Sequence, residues 1–297
     1  MHDSDFTAMM LSMTSADEKR EKFIRMPFSY PGSKAGELDN ILPHLPYRGA
    51  YAEPFGGSGV VLLNRRPSRI EVFNDRYAGV TALFQVVRDP KLYEQFMKRV
   101  TTTIHSREEF IWCKTTWKDP EDLVERAARW YYMARFAVNG KTKSTFGRTK
   151  DSRYKFADRL LCSLPLFGKL HYRFQNVTFE NLDWRLLIED FDKPDMVWYM
   201  DPTYLDSYKG AYEHELSIDD HKELVARVQS LSGFVAISSF DGPETRSVYD
   251  KAGIWTDKIS WTRTNFANIQ AFTETNFQTE DRTRNRTTEI LWIRDKR

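Results

Sequence analysis

The chain has 297 residues, 41% apolar and 29% charged, with a net charge of +2. That composition excludes disordered, fibrous and collagen-like classes, and the length predicts one large domain or a main domain with a smaller one. Two cysteines, Cys113 and Cys162, exclude a disulfide scaffold and a cysteine-built zinc cluster, and fit small core residues in a reducing cytoplasm.

Along the chain, residues 1–26 mix acids, bases, Met and Ser without the basic-then-apolar order of a signal peptide, and read as an N-terminal extension. Ala50–Phe55 reads as a strand running into Gly56-Gly57-Ser58-Gly59, then the apolar Val60–Leu63. Arg69–Phe73 is a second strand ending at Asn74-Asp75, with a helix through about Arg88. Residues 89–170 are helix-rich and interrupt the alternation. They hold 17 Lys and Arg against 10 Asp and Glu, while the rest of the chain holds 27 against 32. Within them, 135–159 carries eight bases and two acids, broken by Gly140 and Gly147, which reads as a basic hairpin or loop. Asn176–Phe179 is a third strand and Met196–Met200 a fourth, ending at Asp201-Pro202. His221–Leu231 has helical spacing, Phe234–Ser238 is a fifth strand, and Ile254–Ser260 and Thr288–Ile293 are two more. Strands alternating with helices predict an α/β fold with a mostly parallel sheet. No apolar run approaches the about 18 residues of a membrane helix.

Three motifs carry chemistry. In Glu53-Pro54-Phe55-Gly56-Gly57-Ser58-Gly59, glycines after a strand allow a sharp turn and close approach of a ligand to the backbone. An acid at Glu53 would repel a pyrophosphate, so the motif suits a cationic ligand without phosphates, of which S-adenosyl-L-methionine is one. Asp75, at the end of the next strand, is placed either to accept both ribose hydroxyls of an adenosine or to cap the helix beginning near Tyr77. In Asp201-Pro202-Thr203-Tyr204, proline extends Asp201 and presents its carboxylate and the Pro202 carbonyl as two acceptors beside an aromatic ring. Two acceptors on the hydrogens of an exocyclic amine localise its lone pair and stabilise the positive charge that grows as it attacks a sulfonium methyl. His221 reads as a structural helix residue, and the six histidines show no metal-ligand spacing, so no metal is expected.

Taken in order, these residues resemble the Dam-like, alpha-group DNA adenine-N6 methyltransferases over about residues 27–297. The resemblance also rests on Tyr30 and Lys34 of the aromatic-x-Gly-x-Lys segment, on Glu180-Asn181-Leu182-Asp183 after the third strand, on Ser238-Ser239, and on the tail Arg286–Trp292. Thr203 departs from the family's second proline. The resemblance implies a Rossmann-like S-adenosylmethionine-dependent methyltransferase sheet, residues 27–88 and 171–297, with a mainly helical target-recognition insert at 89–170. It assigns Asp201, Pro202 and Tyr204 to catalysis. It assigns Tyr30, Lys34, Glu53, Phe55, Gly57, Asp75, Leu182, Asp183 and Asp201 to the cofactor. DNA contacts fall to Arg135, Asn139, Lys141, Lys143, Arg148 and Lys150.

The implied function is site-specific transfer of a methyl group from S-adenosyl-L-methionine to N6 of an adenine flipped out of duplex DNA and stacked on Tyr204, as in restriction–modification. The implied location is the cytoplasm, and a monomer suffices. A catalytically weak or inactive DNA-binding relative, with Thr203 as its sign, and a cytosine-N4 methyltransferase are the alternatives. A nicotinamide-dependent oxidoreductase is disfavoured by Glu53 and by the missing third glycine at dinucleotide spacing.

Overall fold

The structure is a computed structural model that describes residues 22–137, 145–147, 156–207, 213–266 and 284–297. It is a mixed α/β fold whose chain divides between Phe191 and Asp192 into two units.

The first unit opens with a short helix, α1 (Leu38–Ile41), and then β1 (Ala50–Glu53), buried on both faces. β1 stops two residues short of the sequence expectation because Pro54 has no N–H for the ladder. A glycine turn leads into α2 (Val60–Asn64), and β2 (Ile70–Asn74) follows. The side chain of Asn64 holds both the N–H and the carbonyl of Ile24, at 2.7 and 2.9 Å, so the chain just before residue 27 is tied to α2.

Helices occupy the described chain between β2 and β3: α3 (Ala78–Arg88), α4 (Pro90–Thr101), α5 (Arg107–Thr116), α6 (Leu123–Phe136) and α7 (Phe156–Phe174). The starts of α4, α5 and α6 are capped by the side chains of Asp89, Ser106 and Asp122, which accept first-turn N–H groups. After α6, Ala137 and Phe146 form an antiparallel bridge and Gly147 N–H donates to Phe136 O at 2.7 Å. Cys162, expected in the core, is exposed on α7, whereas Cys113 is buried. Leu160 and Leu164 turn inward one helical turn apart, which leaves Leu161 and Cys162 on the outer face.

β3 (Val177–Glu180) and α8 (Trp184–Phe191) complete the unit. Its strands run parallel in the order β3-β2-β1, with Glu53 opposite Phe73 and Phe73 opposite Phe179. Their carboxyl ends are therefore level, and the loops after all three strands open along one edge. Phe73, Phe84, Phe174 and Phe179 pack beneath that edge, with ring centroids 4.9–5.6 Å apart. Glu71 on β2 pairs with Arg65 and Arg173, the latter at 2.8 Å, in a buried cluster joining β2 to α7.

The second unit contains β4 (Met196–Met200), α9 (Ile218–Ser230), β5 (Phe234–Phe240), α10 (Pro243–Ala252), β6 (Asp257–Phe266) and β7 (Arg284–Arg294). β4 and β5 are parallel, while β7 runs antiparallel between β5 and β6. β5 reaches two residues past the expected Ser238 because Ser239 and Phe240 pair with Ile290 and Glu289 of β7. α9 starts three residues before His221 because Ser217 and Asp220 form a reciprocal capping box. Ser217→Ala should lower stability by about 1 kcal/mol, read by denaturant titration; an unchanged midpoint would show that the cap carries no weight. Among the described residues, no helix is long and apolar enough to cross a membrane.

Candidate active site

In the first unit the turn after β1 is built around Asp75. Its Oδ2 accepts the N–H of Gly57 and its Oδ1 the N–H of Tyr77, each at 2.7 Å. This carboxylate ties the glycine turn to the backbone that enters α3. Gly57 and Gly59 have φ of +52° and +69°, a left-handed conformation that glycine adopts without strain. A Cβ on Gly56 would lie 2.1 Å from the Phe73 ring, and one on Gly57 would lie 3.3 Å from the Tyr30 ring. Tyr30, Gly57 and Asp75 thus lie together at this turn.

Glu53 is buried and accepts from Tyr51 Oη at 2.6 Å. Lys34 is buried, with its ammonium donating to Gly32 O at 3.2 Å. Phe55 packs against Trp184 with centroids 6.0 Å apart. Asp183 pairs with Arg76 and with Arg185, and its carbonyl begins α8. Carboxylates at Glu53 and Asp75, an ammonium at Lys34 and glycine backbone at a strand end form a donor set that fits an amino-acid-bearing nucleoside such as S-adenosylmethionine.

Sequence reasoning missed Asn74. It is buried, donates to Pro54 O at 2.9 Å and to Leu182 O at 3.2 Å, and accepts Leu182 N–H at 2.8 Å. It therefore ties the loop after β3 to the end of β1, and Asn181 adds a bond to Asp75 O at 2.6 Å. An amide at the last residue of a buried strand was the available signal.

In the second unit Met200 pairs with Ile237, so Asp201 comes level with Ser238. Ser238 Oγ donates to Asp201 Oδ1 at 2.7 Å. Pro202 is buried, as is Tyr204 at 8% exposure, its ring edge-on to Phe240 with centroids 4.6 Å apart. Tyr204 Oη donates to Glu289 Oε2 at 3.5 Å, and Glu289, fully buried, pairs with Arg263 at 3.0 Å. Burial, with the carboxylates of Asp201 and Glu289 nearby, holds the Tyr204 phenol well above its usual range, so it stays a neutral donor. Glu289 and Arg263 also escaped the sequence reading, although an acid inside an apolar strand is itself a signal of a paired buried charge.

His221 is buried on α9. Its Nε2 is 2.9 Å from Thr203 O and its Nδ1 2.8 Å from Tyr249 Oη, so it pins the motif's backbone. The Thr203 hydroxyl accepts Leu216 N–H at 2.8 Å, which a proline could not do. Thr203→Val should lower stability by about 1 kcal/mol and leave methyl transfer largely intact; a large loss of turnover with unchanged melting would give Thr203 a direct catalytic part.

Of the residues expected to contact DNA, Arg135 lies in the last turn of α6. Asn139, Lys141, Lys143, Arg148 and Lys150 lie outside the described residues.

No curated protein matches the chain. Among solved structures it is similar to that of PH1948, a candidate RNA methyltransferase from Pyrococcus horikoshii, at 11% identity, with 99% of this chain and 97% of that chain covered. The TM-score of 0.36 is too low for that likeness to bear on fold or substrate. The family model of the D12 class N6 adenine-specific DNA methyltransferases matches residues 30–265, from the Tyr30 segment through nearly all of β6. That span takes in the glycine turn, Asp75 and Asp201–Tyr204, and the chain belongs to this family of adenine-specific DNA methyltransferases.

Proposed function

We propose that the protein transfers a methyl group from S-adenosyl-L-methionine to N6 of an adenine turned out of duplex DNA. The observation that carries this reading is Asp201, a carboxylate at the end of a buried strand with one oxygen held by Ser238 and a buried proline after it.

When bound, S-adenosylmethionine supplies an electrophilic sulfonium methyl. In the first unit, Glu53 and Asp75 accept from its ammonium and ribose hydroxyls, Lys34 balances its carboxylate, and Tyr30, Phe55 and Leu182 cover its apolar parts. In the second unit, the Asp201 carboxylate and the Pro202 carbonyl accept the two hydrogens of the target amine. They localise its lone pair on nitrogen and stabilise the positive charge that develops there as it attacks the methyl. The proton is lost after methyl transfer, so no strong base is required, and His221 keeps its structural task. A base stacked on Tyr204 requires the ring to turn out from Phe240 and Glu289. Residues 89–170, with the basic stretch 135–159, grip phosphates and base edges.

The test incubates the protein with labelled S-adenosylmethionine and duplex DNA, then identifies modified nucleosides by mass spectrometry. N6-methyladenine is the expected product. Modified cytosine would keep the amine chemistry and overturn the base; transfer to single strands alone would overturn the duplex and base-flipping reading.

A further inference from the structure

The reading of the Asp201 carboxylate and the Pro202 carbonyl as the acceptors of the target amine leaves open what orients the carboxylate. A carboxylate at a strand end rotates freely about χ2 unless something holds it. β5 provides the hold. Pairing of Met200 with Ile237 sets Ser238 beside Asp201, and alternation along the strand puts Ser238 and Phe240 on one face. Glu289, paired with Phe240 across β7, shares that face, and Arg263 reaches it diagonally from β6. Ser239 points to the other face, where its hydroxyl accepts from Trp292 Nε1 at 2.8 Å.

Ser238 is fully buried. Its single proton has one short acceptor, Asp201 Oδ1 at 2.7 Å; the alternative, Met200 O, lies at 3.5 Å. Its oxygen then accepts from Tyr199 Oη at 3.2 Å. One buried hydroxyl therefore joins the Asp201 carboxylate to the Tyr199 phenol behind it. We propose that Ser238 is a positioning residue for methyl transfer: it fixes the rotation of the Asp201 carboxylate, with Tyr199 orienting the Ser238 hydroxyl. This rests on the amine-receiving role proposed for Asp201.

The experiment compares wild type, Asp201→Ala, Ser238→Ala, Ser238→Thr, Tyr199→Phe and the Ser238→Ala/Tyr199→Phe double variant. Methyl transfer, S-adenosylhomocysteine calorimetry and thermal melting are measured on each. Ser238→Ala should lower kcat by about 10- to 100-fold, the scale of one hydrogen bond to a charged group, with donor KM and S-adenosylhomocysteine affinity unchanged. Ser238→Thr keeps the hydroxyl and should recover most of the rate. Tyr199→Phe should lower kcat in the wild-type background and have no further effect beside Ser238→Ala, because the oxygen it orients is gone. A purely structural serine would lower melting in every variant without that coupling in kcat.

If Ser238→Ala fails to fold, Ser238→Cys, close in size and a weak donor, carries the same comparison. Wild-type kcat in Ser238→Ala beside an inactive Asp201→Ala overturns the positioning role alone. Full activity in Asp201→Ala overturns the reading beneath it.

Discussion

Asp201→Ala should reduce kcat for methyl transfer by about 10²–10³, the loss that follows removal of one preorganised charge-stabilising group. The carboxylate is half-buried at the end of β4, so its removal empties little of the core. The Ser238 hydroxyl it leaves behind can turn to Met200 O, already 3.5 Å away, and stability should therefore fall by no more than about 1 kcal/mol. Asp201→Asn separates charge from shape. Its amide oxygen can still accept from Ser238, but its NH2 would then face the amine of the target base, donor against donor. Its rate should therefore be nearly as low as that of the alanine variant, with melting close to wild type. Stopped-time assays with labelled donor, beside thermal melting, read both quantities. Wild-type turnover in the asparagine variant would show that shape alone suffices and would remove the electrostatic part of the mechanism.

The candidate residues of the two units fall into two groups by how their contacts are made. Asp201 was legible because an apolar run, a carboxylate and a proline in series specify a strand end with a fixed acid. Gly57 was legible for the same local reason, since a left-handed turn calls for glycine; Asp75 accepts the N–H of Tyr77, the residue that caps α3, and is not the cap itself. Ser238 and Asn74 act through partners 37 and 108 residues away, so their roles depend on strand register and loop placement that no local pattern contains. Cys162 shows the reverse limit. The run Leu160-Leu161-Cys162 is apolar in sequence, but a helix turns only part of such a run inward. The element bounds moved for equally physical reasons: Pro54 ended β1 early, a capping box began α9 early, and pairing with β7 lengthened β5.

With the donor site proposed above, Asp75→Ala should weaken both the fold and donor binding. In the folded protein it is the acceptor for Gly57 N–H and Tyr77 N–H. Leaving a buried N–H without its acceptor costs about 1–3 kcal/mol, and water reaches this half-buried position in part, so a loss of about 2–4 kcal/mol in stability is expected for the pair. The consequence for binding is separate. The glycine turn would lose the bond that holds Gly57 in its left-handed conformation under Tyr30, and the ribose hydroxyls of the proposed donor would lose an acceptor. Asp75→Asn discriminates between these losses. Its single amide oxygen can accept one backbone N–H, while its NH2 opposes the other, so stability should fall between wild type and alanine. Measured well below the melting temperature of each variant, S-adenosylhomocysteine affinity should fall by about one to two powers of ten for alanine, the worth of one or two hydrogen bonds to a carboxylate. If affinity holds while melting drops, Asp75 is a turn clamp and the ribose contacts another group. If melting holds while affinity drops, the two backbone bonds carry no weight and the carboxylate is there for the ligand alone.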